Sequence, residues 1–417
     1  MARRLYTLLI YLATPLIVMR LLWRARKQPE YLQHLGERWG FYRTPVPPNL
    51  IWVHAVSVGE TRAAQPLIDA LQAAWPTHRI LLTCMTPTGR ATGREVYGER
   101  VIQAYLPYDY PVAVDRFFGH FLPEFGILME TEIWPNLLAG ARVRRVPVIL
   151  ANARLSERSA RGYGKLPALA RPAFGALHAV AAQTAGDAER IVALGATSVA
   201  VCGNLKFDVT PAPEKIALGQ RWREAIGQRR IWLAASTREG EEELLLAAWR
   251  RVETPGALLL LVPRHPQRFT EVAELLEREG VPFVRRSAAL PDADTSVWLG
   301  DSMGEMAAYY TLAEVAFIGG SLLPLGGQNL IEAAACGCPA IVGPHTFNFL
   351  QATADAIAAG AAERVGDAAG LALAIDRLFG TGNELERMRR SAASFAAAHR
   401  GATARTMELI RASLSAY

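Results

Sequence analysis

Cysteine is scarce in this sequence of 417 residues, and the glycine-rich signatures of the commonest nucleotide-binding enzymes are missing. No G-x-G-x-x-G motif follows a predicted strand, which argues against a nicotinamide or flavin enzyme. A phosphate loop ending in Gly-Lys-Ser/Thr is also absent, which argues against a P-loop NTPase. The four cysteines lie in apolar runs or in a Gly/Pro turn, without a second Cys/His pair, so we interpret them as reduced thiols: they are Cys84, Cys202, Cys336 and Cys338.

Clusters of residues with metal-ligand spacing are lacking as well. Asp292 and Asp294 form a D-x-D triplet of the kind that holds metal-bound sugar nucleotides in some enzymes. Here the triplet lies in a Ser/Ala/Pro-rich loop before a predicted strand, and we interpret it as a turn. We therefore predict no metal and no cofactor for this protein.

The chain has no uninterrupted apolar run of the ~20 residues that a membrane-spanning helix needs, but its amino terminus comes close. The predominantly apolar run from Leu5 to Met19 contains Pro15, is followed by Arg20, and has further basic residues on both sides. No small-residue cleavage site follows it, which disfavours a cleaved signal peptide. We predict that residues 1–28 form a membrane-anchor helix, which either spans the bilayer or lies in its interface, with the globular part on the cytoplasmic side.

Charged residues make up 20% of the sequence and hydrophobic residues 51%, a composition typical of a globular protein with large cores. Short apolar runs alternate with helical patterns, which predicts βαβ units and doubly wound parallel sheets. Seven such runs precede a proline-containing pause at residues 203–213, and six follow it. We therefore predict an α/β fold of two Rossmann-like domains, residues 29–205 and 206–383, with a cleft between them and with helices in 384–417 that pack back on the first domain.

Three polar motifs of the first half follow predicted strands, at the sheet edge where open α/β folds bind their ligands. In HAVSVGE, Glu60 opens a helix and is either a partner of the helix dipole or a general base, whose pKa the helix end lowers. In LMETEIWPNLL, Glu130 and Glu132 form either a solvated loop or a polar site, and the neighbouring Trp134 favours the site. In GNLKFD, Lys206 is either a hinge lysine or a cation that neutralises a phosphate or carboxylate.

The second half contains three motifs that indicate a site for an anionic ligand. Arg264 follows a strongly apolar strand in LLLLVPRHPQRF and suits a phosphate group. GDSMGEMAAYY follows the strand at residues 297–299. The glycine-rich stretch at residues 319–339 turns into a helix at Asn329 and Glu332, where backbone N–H groups can approach an anion and Glu332 can accept hydrogen bonds from a ribose.

The motifs HAVSVGE, METEIWPN, GNLKFD, PRHPQRF, DSMGEM and G-G-x-N-x-x-E, in this order, closely resemble the Kdo (3-deoxy-D-manno-octulosonic acid) transferase family of Gram-negative bacteria. The resemblance runs from the amino-terminal anchor to at least Phe349. It implies the GT-B fold, with an acceptor-binding first domain and a CMP-sugar-binding second domain. It also implies an inverting, metal-independent transfer of Kdo from CMP-Kdo to the lipid A precursor (lipid IVA) of lipopolysaccharide, at the cytoplasmic face of the inner membrane.

The same resemblance implies roles for individual residues. Glu60 would be the general base, and Glu130 and Lys206 would stabilise the transition state. Gln328 and Arg238 depart from the family pattern, which commonly has histidine at both positions, so any pH dependence that those histidines carry would be missing. The implied CMP contacts are Pro263, Arg264, Met303, Gly304, Glu305, Asn329, Leu330, Ile331 and Glu332.

Two other functions stay open at this point. A GT-B transferase that uses a UDP-sugar and a lipid acceptor would share the fold, and a membrane-tethered binding protein would keep the scaffold without the catalysis. The expected partners are CMP-Kdo, the lipid A precursor and the phospholipid surface of the inner membrane, and no nucleic acid is expected.

Overall fold

The computed structural model describes residues 1–380 and 382–415, which form two compact units. The first unit comprises residues 1–209 together with the chain from Arg400 onward, and the second comprises residues 210–399. Each unit is built on its own seven-stranded parallel sheet. This finding confirms the α/β class and the two successive parallel sheets that the strand–helix alternation predicts.

In the first unit the strand order is β3-β2-β1-β4-β5-β6-β7, and all seven predicted strands are present. The strands are β1 (Leu50–His54), β2 (Arg79–Cys84), β3 (Val101–Tyr105), β4 (Phe125–Met129), β5 (Val148–Ala153), β6 (Ala179–Ala182) and β7 (Val199–Val201). The helices are α1 (Ala2–Leu12), α2 (Thr14–Lys27), α3 (Val58–Ala63), α4 (Gln65–Ala74), α5 (Pro87–Tyr97), α6 (Pro111–Phe121), α7 (Pro135–Val143), α8 (Glu157–Gly164), α9 (Pro167–Phe174) and α10 (Ala185–Ala193), and short 3-10 helices cover Pro29–Leu32, Leu35–Trp39, Gly98–Arg100 and Leu205–Asp208.

Successive residues of β1 enter two different cores, because side chains alternate between the faces of a strand. Trp52 packs against the rings of Phe117 and Phe118 on α6, with centroids 5.1 and 5.8 Å away. Ile51 and Val53 point to the other face and enter a separate apolar cluster there. Gly126 on β4 makes room for the indole, since a Cβ there would lie 2.3 Å from a ring carbon of Trp52.

The amino terminus differs from the single anchor helix expected over residues 1–28. It forms two helices, α1 and α2, which bend by 50° at Ala13. Pro15 explains the break, because proline lacks the N–H that an uninterrupted helix would need at that position. Among the described helices none is long and apolar enough to cross a bilayer alone, whereas α1 and α2 taken together meet that test of length and composition.

In the second unit the strand order is β10-β11-β9-β8-β12-β13-β14. The six predicted strands are present, and the sequence pattern misses the seventh, the edge strand Ala362–Arg364. The strands are β8 (Ile231–Thr237), β9 (Leu258–Pro263), β10 (Phe283–Arg285), β11 (Val297–Leu299), β12 (Val315–Ile318), β13 (Ala340–Val342) and β14 (Ala362–Arg364). The helices are α11 (Pro213–Ile226), α12 (Glu241–Trp249), α13 (Arg268–Arg278), α14 (Met306–Leu312), α15 (Ile331–Ala335), α16 (Leu350–Ala358), α17 (Ala368–Gly380) and α18 (Gly382–Ala398), with a 3-10 helix at Phe347–Phe349.

The carboxyl-terminal helices do not both return to the first unit, so the expected boundary at residue 383 is wrong. On α18, Leu385 and Met388 are buried in the core of the second unit. Only α19 (Ala402–Ser415) packs on the first unit, where Met407 and Ile410 enter the cluster that contains Ile51. The distribution of these apolar side chains therefore shows that the chain leaves the second unit and rejoins the first at residues 399–400.

Candidate active site

Glu60 lies where the strand order of the first sheet reverses, between the carboxyl ends of β1 and β4. In open α/β sheets such a switch point forms a crevice that binds ligands. Ser57 caps α3 by accepting a hydrogen bond from the Glu60 N–H, and its hydroxyl donates to Glu60 Oε1 at 3.0 Å. The N–H of Val56 donates to Glu60 Oε2 at 2.9 Å. The carboxylate is thus held in one orientation and remains partly exposed.

The expected lowering of the Glu60 pKa by the helix end is wrong. Burial raises its pKa to about 7, and the nearby charges of Glu130 and Glu132 add to this effect. The hydrogen bonds from Val56 and Ser57 lower the pKa but do not outweigh the burial. A carboxylate with a pKa close to neutral pH is well matched to accepting a proton from a hydroxyl group.

Glu130 and Lys206 come together beside this carboxylate, as an ion pair with Lys206 Nζ 3.0 Å from Glu130 Oε1. Glu130 follows β4 directly and has a left-handed backbone (φ 58°), which is uncommon for a residue other than glycine. Lys206 belongs to the 3-10 helix Leu205–Asp208, far along the chain. The structure therefore brings together all three residues for which a catalytic role is predicted, and the roles themselves stay predictions.

Asn152 positions the lysine and was missed by the sequence analysis. Its side-chain Oδ1 accepts a hydrogen bond from the Leu205 N–H at 3.0 Å, and Asn204 Oδ1 accepts one from the Lys206 N–H at 3.0 Å. Asn152 is buried near the end of β5 and also has a left-handed backbone (φ 53°). The sequence shows only a small polar residue inside a strand-like run, which does not reveal this contact.

Glu132 belongs to the same motif as Glu130, and His54 belongs to the same motif as Glu60. The environments of Glu132 and His54 differ from those of the predicted catalytic residues. Glu132 accepts a hydrogen bond from Trp134 Nε1 at 2.6 Å, so the indole fixes the loop, and burial raises its pKa. His54 is fully buried, with Nδ1 2.9 Å from Thr83 Oγ1, and burial lowers its pKa to about 3. His54 is accordingly a neutral core residue.

In the second unit, basic side chains gather at the carboxyl ends of β8 and β9. Arg264 follows β9, and its backbone N–H donates to the Thr237 carbonyl at the end of β8. The pKa of His265 is lowered by partial burial and by the charges of Arg238, Arg264 and Arg268. Arg268 is ion-paired with Glu242 at 3.1 Å and with Glu271 at 2.8 Å, so Arg238 and Arg264 are the guanidinium groups that suit a phosphate at this edge.

A buried carboxylate, Glu241, holds the glycine-rich loop at this edge. Its two oxygens accept hydrogen bonds from the backbone N–H groups of Arg238 (3.0 Å), Gly320 and Leu322 (3.1 Å). Glu241 is completely buried at the start of α12. It connects the ends of β8 and β12, the neighbours at which the order of the second sheet reverses. The sequence pattern does not reveal this role, because acidic residues in a first helical turn are common.

The two departures from the family pattern lie beside the same loop. A Cβ on Gly320, whose φ is +72°, would lie 3.3 Å from Gln328 Nε2 and 3.6 Å from Arg238 Cγ. Both side chains therefore border this glycine, although 90 residues of chain separate them. Their positions make them candidates for contact with the ligand of this loop.

The remaining predicted contacts occupy two further turns of the second unit. Glu305 pairs with Arg286 at 3.1 Å and also accepts a hydrogen bond from Ser302, while Met303 and Gly304 are exposed in the same turn. Asn329 Oδ1 accepts from the Ile331 N–H at 3.1 Å, and Asn329 Nδ2 donates to Glu332 at 3.2 Å.

Arg264 and Glu332 both lie near the buried phenol of Tyr310. Burial raises the pKa of Tyr310 well above its usual range, Glu332 adds to the rise, and Arg264 opposes it. Both charges must be near this phenol to act on it. Of the other predicted contacts, Pro263 ends β9, and Leu330 and Ile331 are buried, so the latter two can offer only backbone groups to a ligand.

No group of three or more His, Cys, Asp or Glu side chains suited to a metal ion occurs in the described part of the chain. Asp292 Oδ1 accepts from the N–H and the hydroxyl of Thr295, at 2.9 and 2.6 Å, so the D-x-D triplet forms a turn as predicted. The four cysteines are unpaired, and burial raises the pKa of each thiol.

Comparison with known proteins identifies the family. A family model described as 3-deoxy-D-manno-octulosonic-acid transferase (kdotransferase) matches residues 33–209. The chain is 44% identical to the 3-deoxy-D-manno-octulosonic acid transferase of Bordetella pertussis, over 98% of this chain and 99% of the relative. The chain belongs to the Kdo transferase family. It is 39% identical to the enzyme of the same name from Haemophilus influenzae, over 99% of this chain and 98% of the relative.

As a member of the Kdo transferase family, the chain is a glycosyltransferase that transfers Kdo. Solved structures of low sequence identity share its fold. A glycosyltransferase from Rickettsia africae has a TM-score of 0.59 at 13% identity and covers 89% of this chain and 99% of its own. HepE from Anabaena, in complex with UDP, has a TM-score of 0.60 at 14% identity, over 88% and 100% of the two chains. These similarities support the GT-B-like architecture.

Proposed function

We propose that this Kdo transferase takes Kdo from CMP-Kdo and attaches it to a sugar hydroxyl of the lipid A precursor (lipid IVA) of lipopolysaccharide. The observation that carries the catalytic part of the proposal is the position of Glu60. Its carboxylate lies at the switch point of the first sheet with a pKa of about 7, next to the Glu130–Lys206 ion pair.

In the proposed reaction, Glu60 accepts the proton of the acceptor hydroxyl while that oxygen forms a bond to the anomeric carbon of Kdo. The bond between this carbon and the phosphate oxygen of CMP breaks, and CMP leaves with the electron pair. A single displacement of this kind inverts the anomeric configuration. Lys206 holds the carboxylate of Glu130 in place, and the Glu130–Lys206 pair supplies fixed charges close to the reacting groups.

The donor would bind at the basic edge of the second unit. Arg264 is placed to neutralise the phosphate of CMP, and Glu241 fixes the glycine-rich loop at the same edge by accepting hydrogen bonds from two of its backbone N–H groups. Glu332 would accept hydrogen bonds from the ribose, with Asn329 fixing its orientation. Because cations and backbone dipoles carry the charge of the leaving group, the proposed transfer uses no metal, and we expect it to withstand EDTA.

We further propose that the protein acts at the cytoplasmic face of the inner membrane, attached through α1 and α2. The support is the exposed apolar side chains of these helices, including Leu9, Leu12 and Leu16, together with basic residues at both ends. Such a pair of amphipathic helices is typical of a segment that lies in the membrane interface.

The decisive experiment incubates the full-length protein with CMP-Kdo and lipid IVA, and weighs the product by mass spectrometry. An increase by one or more Kdo units is expected. The absence of any Kdo adduct would reject lipid IVA as the acceptor. The protein would then be a Kdo transferase that acts on another lipid. CMP should also protect the second unit against proteolysis, whereas equal protection by UDP would favour a UDP-sugar donor.

A further inference from the structure

The helices α1 and α2 attach to the first unit through their polar side chains. Tyr6 donates a hydrogen bond to Asp109 at 2.9 Å, Thr7 donates to Asn136 at 3.1 Å, and the hydroxyls of Thr14 and Tyr110 are 2.8 Å apart. These contacts leave the opposite side of the helices uncovered, and the large apolar side chains exposed there are Leu5, Leu8, Leu9, Leu12, Leu16 and Met19. The two helices are therefore a docked part of the fold with a free apolar face.

A cavity of about 340 Å³ lies next to these helices, between α1, α6 and α7. Arg3, Arg4 and Arg144 line it, together with the single carboxylate of Asp115. Arg144 pairs with Asp115 at 2.5 Å, whereas the side chains of Arg3 and Arg4 make neither a hydrogen bond nor an ion pair within 4 Å in the described residues. The cavity thus holds a surplus of positive charge, and two of its guanidinium groups are available to a ligand.

The rest of the lining limits what that ligand is. Val143, at the end of α7, lines the cavity and is 82% exposed, and Val114 and Ala139 are also apolar. Thr7 and Asn136 add a polar wall, and their side chains are hydrogen-bonded to each other. An anion with an apolar part attached fits this lining better than a small hydrated anion, because exposed valine next to arginine favours contact with hydrocarbon.

We propose that this cavity binds the phosphodiester headgroup of an anionic phospholipid, with the acyl chains along Val143 and the apolar face of α1. We name it the headgroup pocket, defined by Arg3, Arg4, Thr7, Asn136, Val143 and Arg144. The planar guanidinium groups can donate paired hydrogen bonds to the phosphate oxygens. The inference rests on the proposed membrane attachment and extends it from a general attraction to one defined lipid site.

The test measures binding of the full-length protein to water-soluble short-chain phosphatidylglycerol, and to phosphatidylcholine vesicles with and without phosphatidylglycerol. The pocket variant is R3Q/R4Q/R144Q. The matched control, R20Q/R26Q/K27Q, removes the same charge from α2, outside the pocket. We expect saturable binding of the short-chain lipid, weakened about tenfold or more in the pocket variant and by less than about twofold in the control.

Two outcomes would overturn the proposal. If both variants lose lipid binding equally, the attraction is the diffuse one of basic residues for an anionic surface. If inorganic phosphate binds as tightly as the short-chain lipid, the cavity is an anion site without selectivity for lipid.

Kdo transfer to detergent-dispersed acceptor separates this proposal from the proposed function. The pocket variant should retain transfer in detergent within about twofold, because no bilayer is needed there. Loss of transfer under these conditions would indicate that the cavity binds the acceptor. It would overturn the proposal that the cavity binds a phospholipid. If the wild-type protein itself transfers no Kdo to lipid IVA, the proposed acceptor fails, while the lipid-binding comparison still decides the headgroup pocket.

Discussion

The two sheets share their number of strands and their parallel pairing, yet the carboxyl ends of their strands present different charged groups. In the first unit the edge presents the carboxylates of Glu60, Glu130 and Glu132, compensated by one lysine. In the second unit the edge presents guanidinium groups that lower the pKa of a neighbouring histidine. A repeated architecture thus provides one edge suited to accepting a proton and another suited to holding an anion.

Two glutamates make the difference sharper, because both lie at a switch point but differ in burial and in hydrogen-bond partners. Glu241 is completely buried and accepts hydrogen bonds from three backbone N–H groups, so its charge holds a loop. Glu60 is partly exposed and accepts two hydrogen bonds, and burial with nearby carboxylates raises its pKa to about 7. The environment, and not the residue type, separates a candidate base from a structural carboxylate.

The largest effect is expected from Glu60→Gln, which removes the proton acceptor and keeps the shape of the side chain. We expect kcat to fall about 10³-fold, in the range typical of a lost general base. Donor binding should persist, because the proposed donor contacts lie in the second unit. Transfer assays and protection by CMP measure the two properties separately.

Glu132→Gln is the matched control for this variant, since Glu132 lies in the same carboxylate cluster and its pKa is also raised by burial. Its loss of activity should be less than about tenfold. The assignment of the base fails if E60Q turns over like the wild type, or if E132Q loses as much activity as E60Q.

The next largest effect is expected from Glu130→Gln, which tests how the charges at the edge of the first sheet set the pKa of Glu60. In the wild type kcat/KM should rise with pH through about 7, because only ionised Glu60 accepts a proton. E130Q removes a negative charge near Glu60 and breaks the Glu130–Lys206 ion pair. Both changes favour ionised Glu60, so the acid limb of the pH–rate profile should move to lower pH.

The maximal rate of E130Q should also fall, by about 10²-fold, because a fixed charge beside the reacting groups is lost. Rates across the pH range report both changes, and a conservative Glu130→Asp variant should keep the acid limb near its wild-type position. An acid limb that moves to higher pH in E130Q would contradict the electrostatic coupling between the two carboxylates.

Glu241→Gln tests the second edge and should affect binding more than turnover. Its amide nitrogen would face backbone N–H donors, so the glycine-rich loop loses part of its support. We expect the KM for the donor to rise about tenfold, equivalent to ~1.4 kcal/mol, with kcat within about twofold. The exposed neighbour Glu239 supplies the control variant E239Q. A fall in kcat at unchanged KM would place Glu241 in the chemistry instead.

The architecture is well predicted by the sequence where apolar runs are long and buried. The central strands of the first sheet are found this way, because strands covered on both faces have almost continuous apolar sequence. The less buried edge strand Val199–Val201 is found because its three residues are apolar. The edge strand Ala362–Arg364 is missed, since two of its three residues are charged and it is exposed on one side. The carboxyl-terminal boundary fails for another reason, because α18 and α19 have similar alanine-rich patterns and only their packing shows which core each one enters.

The candidate site is predicted in its positions and only partly in its electrostatics. The positions of residues directly after strands, such as Glu60 and Arg264, can be predicted because the local sequence reveals where strands end. The sign of the Glu60 pKa shift does not follow from them, because it depends on burial and on Glu130, 70 residues away. Asn152 and Glu241 act through backbone N–H groups from distant segments, and the sequence pattern does not reveal such contacts.

The smallest effect concerns Gln328, which borders Gly320 together with Arg238. The amide of Gln328 has no titratable group, so the wild-type KM for the donor should vary little between about pH 5.5 and 7.5. Gln328→His would introduce a group that gains a positive charge as the pH falls, and a positive charge near the donor phosphate should lower the KM. The shift should be modest, about threefold, because the nearby guanidinium of Arg238 disfavours the protonated form.

His265 is a native histidine that could confuse this measurement, although burial and the charges of Arg238, Arg264 and Arg268 lower its pKa. The control is therefore His265→Asn, alone and combined with Q328H. The pH dependence should appear in Q328H and persist in the double variant, since it belongs to the introduced histidine. A flat profile in both would mean that the side chain beside Gly320 does not sense the donor, and the charge contrast between the two edges would then rest on the arginines alone.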